Sequence, residues 1–352
     1  MLETAQFLTE WDRVGREVAD LKSVVACATA ASRLHVMSEF EAVVREGAFI
    51  LTDGGIETRI MFETDILLPP HIQVAALVAD PAGGPVLRRI YGSYVDAARS
   101  FGLPVIIGTP TFRASLNFVR RAGLGDAEVV CRLNSNAAAM HREIRDDSNY
   151  RPVYIAGVIG PSGDAYLPEE ALSAQQSREY HDLQANALAQ SGVDFLYAPT
   201  FPAVEEALGV AIAMADTGLP YVVSFVLERG GKVLDGTPLH AAIERIDAAA
   251  LPAPLFYSIS CVHPSIAAGA LRDEAVFSDL VARRLNEFKA NASPLSPEEL
   301  VQLDHLEGDE PELFATEMWE IHENFGLRVL GGCCGTDDRL MRALALRMEA
   351  MG

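Results

Sequence analysis

From Ala48 onward, short apolar runs bounded by Gly, Pro or Thr alternate with longer amphipathic stretches. The apolar runs are Phe49–Thr52, Val105–Gly108, Val153–Gly157, Phe195–Ala198, Tyr221–Phe225, Phe256–Ser260, a weaker one near Phe288–Asn291, and Arg328–Leu330. They have strand length and are bounded by turn-forming residues, which predicts strands. Between them, Gly84–Ser100, Asp126–Arg145, Ser173–Ser191, Ala203–Thr217, Leu239–Ala249 and Glu312–Phe325 have helix length and helical spacing. Ser173 stands three residues before Gln176, the spacing of a capping box.

Strands that alternate with helices must be parallel, because the helix is the crossover that brings the chain back. Eight such units close a (β/α)8 TIM barrel. The rival is a doubly wound open sheet, which carries a glycine-rich phosphate loop after its first strand. Here Asp53-Gly54-Gly55-Ile56-Glu57-Thr58 follows that strand, and it is neither G-x-G-x-x-G nor a Walker loop. The expectation is therefore a barrel over residues 41–352 preceded by an N-terminal helical extension, residues 1–40. In that extension Phe7, Trp11 and Val14 recur at helical spacing, followed by an Ala-rich stretch. A peripheral helix and an extension from an upstream start both fit it. A polar, acidic segment from Ser293 to Pro311 breaks the rhythm after the seventh strand and would lie over the C-terminal rim of a barrel.

The 352 residues are 49 % hydrophobic and 22 % charged, enough apolar material for a large core. The net charge of −21 repels phosphate backbones and anionic lipid, so nucleic acid and membrane surfaces are not expected partners. The basic pairs Arg88-Arg89, Arg120-Arg121 and Arg283-Arg284 sit inside amphipathic stretches and read as solvated helix faces. No apolar run reaches the length of a membrane span. Acidic residues Glu10, Asp12, Glu17 and Asp20 stand where a secretory signal would be basic or apolar, so a soluble cytoplasmic protein is expected.

Cysteine is the informative residue. Of five, Cys261 follows the sixth strand, and Cys333 and Cys334 follow the eighth. A barrel draws its catalytic groups from those strand ends, so the three thiols would converge. Gly331 and Gly332 permit the tight turn that turns successive cysteines inward. Thr336 or Asp337 is a suitable cap for a following helix, whose positive end favours thiolates. Three thiolates with no fourth protein ligand describe a catalytic zinc site with one open position. Such a centre binds a thiol as a thiolate, which is still nucleophilic toward an activated methyl group, so alkyl transfer to sulfur is the implied chemistry. Buried, inert thiols are the plain alternative, and the better one for Cys27 and Cys131. His263, two residues after Cys261, is a conceivable fourth ligand. The acidic run Asp304, His305, Glu307, Asp309 and Glu310 reads as a solvated loop, and His322 as an exposed helix residue.

Gly331-Gly332-Cys333-Cys334-Gly335-Thr336 resembles the signature of the homocysteine S-methyltransferase family. Further segments are similar in the same order: Thr52-Asp53-Gly54-Gly55, Thr109-Pro110-Thr111-Phe112, Ala156 to Gly163, Val223-Ser224-Phe225 with Asp235-Gly236-Thr237-Pro238, and Ser260-Cys261-Val262-His263-Pro264. The resemblance runs from about residue 48 to 348. It implies a (β/α)8 barrel in which Cys261, Cys333 and Cys334 hold Zn2+. It also implies that homocysteine takes a methyl group from a sulfonium or quaternary ammonium donor and becomes methionine. Asp53, Gly54 and Gly55 match the loop that holds the amino-acid end of homocysteine. Thr111, Phe112 and Ser260 fall in the pocket motifs.

Three positions depart from the family pattern. Pro199 stands before Thr200 where a Glu is usual, Ser260 replaces an Asn, and Asn291-Ala292-Ser293-Pro294 replaces a Pro-Asn-x-Gly segment. Glu57, in the same loop as Asp53, is a carboxylate able to replace the missing Glu. The implied donor is small: S-methylmethionine, S-adenosylmethionine, betaine or dimethylsulfoniopropionate. Phe112, Tyr166 and Phe201 are aromatic candidates to face such a cation. A different thiol acceptor, a zinc hydrolase or lyase, and a non-catalytic binder are the alternatives.

Overall fold

The computed structural model describes residues 37–295, Glu299 and 305–351. The helix expected within residues 1–36, and Asp304, lie outside them.

Eight parallel strands close a barrel in chain order: β1 (Ile50–Thr52), β2 (Val105–Gly108), β3 (Val153–Val158), β4 (Phe195–Phe201), β5 (Tyr221–Phe225), β6 (Phe256–Val262), β7 (Leu285–Ala290) and β8 (Val329–Gly332). β1 pairs with both β2 and β8, which closes the sheet and excludes the open-sheet rival. The long outer helices are α3 (Gly83–Ser100), α5 (Ala127–Asp147), α6 (Ala174–Gln190), α7 (Val204–Asp216), α8 (Leu239–Ala249), α11 (Pro311–Phe325) and α12 (Asp338–Met351). Shorter helices are α1 (Glu39–Arg45), α2 (Glu57–Glu63), α4 (Leu116–Arg121), α9 (Pro264–Leu271) and α10 (Asp279–Arg284). No described helix is long and apolar enough to cross a membrane.

Strand periodicity sorts the core into two compartments. Leu51, Val105, Ile107, Val153, Ile155, Leu196, Val223, Tyr257 and Leu330 face the helices. Their neighbours Ile50, Ile106, Tyr154, Ala156, Phe195, Tyr197, Val222, Phe256 and Val329 fill the barrel interior. Burial on both faces explains the near-continuous apolar runs in the sequence.

The interior is closed from below by α1. Ser38 caps this helix through a reciprocal pair: its Oγ accepts from the Glu41 N–H at 3.2 Å, and Glu41 accepts from the Ser38 N–H at 2.9 Å. The cap fixes Phe40, whose ring stacks on Phe195 at 4.0 Å and tilts against Tyr154 at 5.3 Å. Phe40 is 1 % exposed. The bottom of the barrel is thus dry and aromatic.

Going up the barrel the interior turns polar. Glu287 and Lys289 both point inward from β7, two residues apart, at the level of Ser258, Ser260, Ser224 and Tyr197. β7 read as the weakest strand because Glu287 and Lys289 interrupt its apolar run.

Candidate metal centre and substrate pocket

The three cysteines meet at the C-terminal mouth. Their Sγ atoms all lie within 4.8 Å of one another. Cys261 and Cys333 are in contact as a disulfide pair, their Cα atoms 5.6 Å apart and 72 residues apart in sequence. Cys334 is a free thiol reachable from the mouth.

Local backbone features aim these sulfurs. At Cys261 the β6–β7 register shifts between Ser260 and Val262, and Cys261 has a φ of 57°. A bulged residue in the left-handed region turns its side chain out of the strand alternation. The reversed peptide is held by Asn291, whose Nδ2 donates to the Cys261 carbonyl at 3.0 Å.

The turn after β8 is clamped from both sides. The Cys333 N–H donates to Ala290 O at 2.7 Å, and Ala292 N–H donates to Cys334 O at 3.0 Å. From the other side, Gly332 N–H donates to Asp53 O at 3.1 Å and Gly335 N–H to Thr58 Oγ1 at 3.2 Å. Thr336 Oγ1 donates to Cys333 O at 2.8 Å. Gly331 and Gly332 are required by space: a Cβ on Gly332 would lie 2.7 Å from Thr336 Cβ, and one on Gly331 2.9 Å from Thr52 Cβ.

The donor set fits a soft divalent cation. Tetrahedral sulfur ligands about 2.3 Å from an ion lie about 3.8 Å from each other, a spacing the cluster reaches once the Cys261–Cys333 pair is reduced and its sulfurs separate. No other His, Cys, Asp or Glu of the described residues joins this group, so one coordination corner remains open to a ligand. Although Cys334 is accessible, desolvation by the protein crowded around it, and then the charge of Glu57, push its thiol up to about 11. A divalent cation supplies the charge that removes that proton.

His263 is not part of the cluster. It belongs to a second group with Asp309 and Glu317. Its Nε2 lies 2.8 Å from Asp309 Oδ2 and its Nδ1 2.8 Å from Ser265 Oγ. Asp309, expected in a solvated loop, thus folds back on the rim. His322 is half-buried, its Nδ1 2.9 Å from the Leu327 carbonyl.

The loop after β1 is bonded into the barrel at the mouth. Asp53 lies at the mouth, 3 % exposed, but both of its oxygens are engaged. Oδ1 pairs with Lys289 Nζ and Oδ2 accepts from the Gly108 N–H at 2.7 Å. The Gly55 N–H donates to Thr336 O and Oγ1 at 3.1 and 3.0 Å. The same glycine lets the loop approach Cys333: a Cβ there would lie 2.8 Å from the Cys333 carbonyl. Gly54 packs against Thr336 and Tyr94.

Glu57 opens α2 within reach of the charge of Cys334, and burial raises its pKa while Arg113 opposes the rise. Thr111 is fully buried, bonded to Val158 O at 2.6 Å and Thr109 Oγ1 at 2.7 Å; it ties β2 to β3. Phe112 packs over Gly160. Ser260 Oγ lies 2.7 Å from Ser224 Oγ. At the strand-four departure, the β4–β5 register shifts between Ala198 and Phe201, and Thr200 has a φ of 59°. Phe201 is fully buried among the outer core and edge-on to His181 at 5.6 Å, so it does not face the mouth. Tyr166 is 36 % exposed.

Three residues here were not singled out from the sequence as site residues. Lys289 pairs with Asp53 and lies 5.9 Å from the Tyr197 ring centroid. Glu287, directly beneath, is raised to about 7 by burial, with the Lys289 charge opposing. Asn291 supports Cys261. A basic residue at an inward strand position was the available signal.

A closed (β/α)8 barrel with three cysteine sulfurs converging at its C-terminal rim defines a TIM-barrel protein with a candidate metal centre. The model of the homocysteine S-methyltransferase family matches residues 50–348. A selenocysteine Se-methyltransferase of Brassica oleracea is 21 % identical, over 88 % of this chain and 91 % of its own length. Betaine–homocysteine S-methyltransferase 1 of Bos taurus is 23 % identical, over 86 % and 72 %. The homocysteine methyltransferase MmuM of Escherichia coli, solved in a metallated form, superposes with a TM-score of 0.70 at 20 % identity, over 87 % of this chain and 98 % of that one. The chain belongs to the homocysteine S-methyltransferase family.

Proposed function

We propose that the protein is a zinc-dependent S-methyltransferase that moves a methyl group from a small sulfonium or quaternary ammonium donor to a thiol, with homocysteine giving methionine as the family reaction. The convergence of three sulfurs from two distant segments, with one corner open, carries this reading. Cys261, Cys333 and Cys334 would hold the ion. When bound, zinc supplies the Lewis acidity that keeps an acceptor thiol deprotonated at neutral pH. In the overall reaction a carbon–sulfur bond forms as the donor's C–S+ or C–N+ bond breaks. The donor's onium centre leaves as a neutral thioether or amine, and the acceptor's proton passes to solvent.

The chain's own residues shape what can enter. Asn291 and the clamped turn after β8 hold the sulfurs in place without substrate, so little ordering is needed on binding. Glu57 places a carboxyl beside Cys334; burial raises it and Arg113 opposes the rise, and a cationic donor would favour its ionised form. Asp53 and Lys289 add a largely buried ion pair at the mouth. Family relatives named for S-methylmethionine and betaine support a cationic donor.

The test uses reduced protein loaded with zinc. Wild type should carry one zinc and Cys333→Ala much less; equal stoichiometric zinc in both refutes the ligand assignment. Incubation with homocysteine and S-methylmethionine, S-adenosylmethionine, betaine or dimethylsulfoniopropionate should yield methionine with at least one donor. A hydrolase or binder yields none.

A further inference from the structure

The inner face of β7 carries a cation, Lys289, close below the cysteines. Lys289 pairs in register with Ser260 of β6 and Gly331 of β8. It therefore stands between the two cysteine-bearing strands, one residue below Cys261 and two below Cys333, or about 3–7 Å at about 3.3 Å per residue. Its side chain is 13 % exposed, enough to be reached from the mouth. Among the described residues its ammonium donates only to Asp53, so two of its three N–H groups are unspent.

The anions near it are already compensated in charge by other groups. Asp53 has one oxygen on Lys289 and the other on Gly108. Glu287 lies beneath Lys289, buried, and burial pushes its carboxyl up to about 7. An incoming ammonium would meet a neutralised carboxylate and a like charge. An incoming carboxylate would meet two free donors on a partly desolvated lysine, the setting in which charge-assisted hydrogen bonds are strong. The rival cation, Arg113, lies over the Phe118 ring at 4.9 Å and faces Glu57.

We infer that Lys289 is the specificity-determining residue for the acceptor: it binds the acceptor's carboxylate, and the acceptor's α-amino group is not read. The substrate class is then thiols carrying a carboxylate about four bonds from sulfur, with or without an amine. This rests on the transferase reading, but its binding arm does not.

The kinetic arm compares homocysteine with 4-mercaptobutyrate, which lacks the amine, and 3-mercaptopropylamine, which lacks the carboxylate. The reduced, zinc-loaded full chain is used with a donor that supports turnover. The expected kcat/KM for 4-mercaptobutyrate is within tenfold of homocysteine, and for 3-mercaptopropylamine at least 100-fold lower. A loss of more than tenfold for 4-mercaptobutyrate, or retention of 3-mercaptopropylamine within tenfold, overturns the inference. If no thiol is methylated by any donor, the transferase reading fails and binding decides.

The binding arm uses calorimetry with the thioethers 4-(methylthio)butanoate and 3-(methylthio)propylamine, which need neither donor nor turnover. The acid should bind at least tenfold tighter to wild type. Lys289→Met should lose that preference through weaker acid binding, and Lys289→Arg should retain it. Equal binding of the two thioethers to wild type overturns the assignment even if Lys289→Met does not fold.

Discussion

Glu287→Gln isolates the one buried carboxyl of the barrel interior. Glu287 is 3 % exposed, its Oε2 has no hydrogen-bond partner, and burial holds its pKa at about 7 against an ordinary 4.5. That value already includes the opposing attraction of Lys289, so it is the net cost of charging this position. At about 1.36 kcal/mol per pH unit the difference is about 3 kcal/mol. The folded state holds this proton more tightly than the unfolded chain does. No penalty exists below about pH 4.5, where both forms are neutral, and the full penalty applies above about pH 7. Glutamine is nearly isosteric and neutral throughout. With an unfolding entropy of about 0.6 kcal/mol/K for about 300 residues, about 3 kcal/mol corresponds to about 5 °C. The melting temperature of Glu287→Gln minus that of wild type should therefore rise by about 5 °C between pH 5 and pH 8, read by calorimetry of reduced protein in matched buffers. Taking the difference cancels every other titrating group. A difference that stays constant across that range would refute a neutral, desolvated Glu287.

Three further predictions follow from the packing. Gly332→Ala places a Cβ 2.7 Å from Thr336 Cβ and 3.0 Å from Met341 Cε; it should lower zinc content by more than half while far-UV circular dichroism stays unchanged, and normal zinc would show that the turn after β8 has slack. Asn291→Ala releases the Cys261 carbonyl and should weaken zinc binding about 10- to 100-fold in chelator competition, against no change if Cys261 is aimed by the bulge alone. Phe40→Ala empties the aromatic floor and should cost about 3–5 kcal/mol in urea unfolding, with zinc stoichiometry and acceptor KM unchanged because the floor and the mouth are opposite ends of the barrel.

Much of this protein is readable along the chain. A strand buried on both faces must be apolar, and a parallel pair must be joined by a crossover, so eight apolar runs alternating with helical stretches already imply closure. The three cysteines are marked by their place after strands six and eight, and by the two glycines before Cys333. These are local signals, carried by residues within a few positions of each other. The contacts that decide the pocket are not local. Lys289 and Asp53 are 236 residues apart, and Gly55 and Thr336 are 281 apart. Whether Asp53 is free or paired, and whether the Gly55 N–H faces a ligand or a threonine, depends on which inward side chains share a layer of the closed barrel. That layer exists only once β1 has met β8, so the thiol centre was legible in the sequence, while the charge of the wall beside it was decided by the tertiary structure.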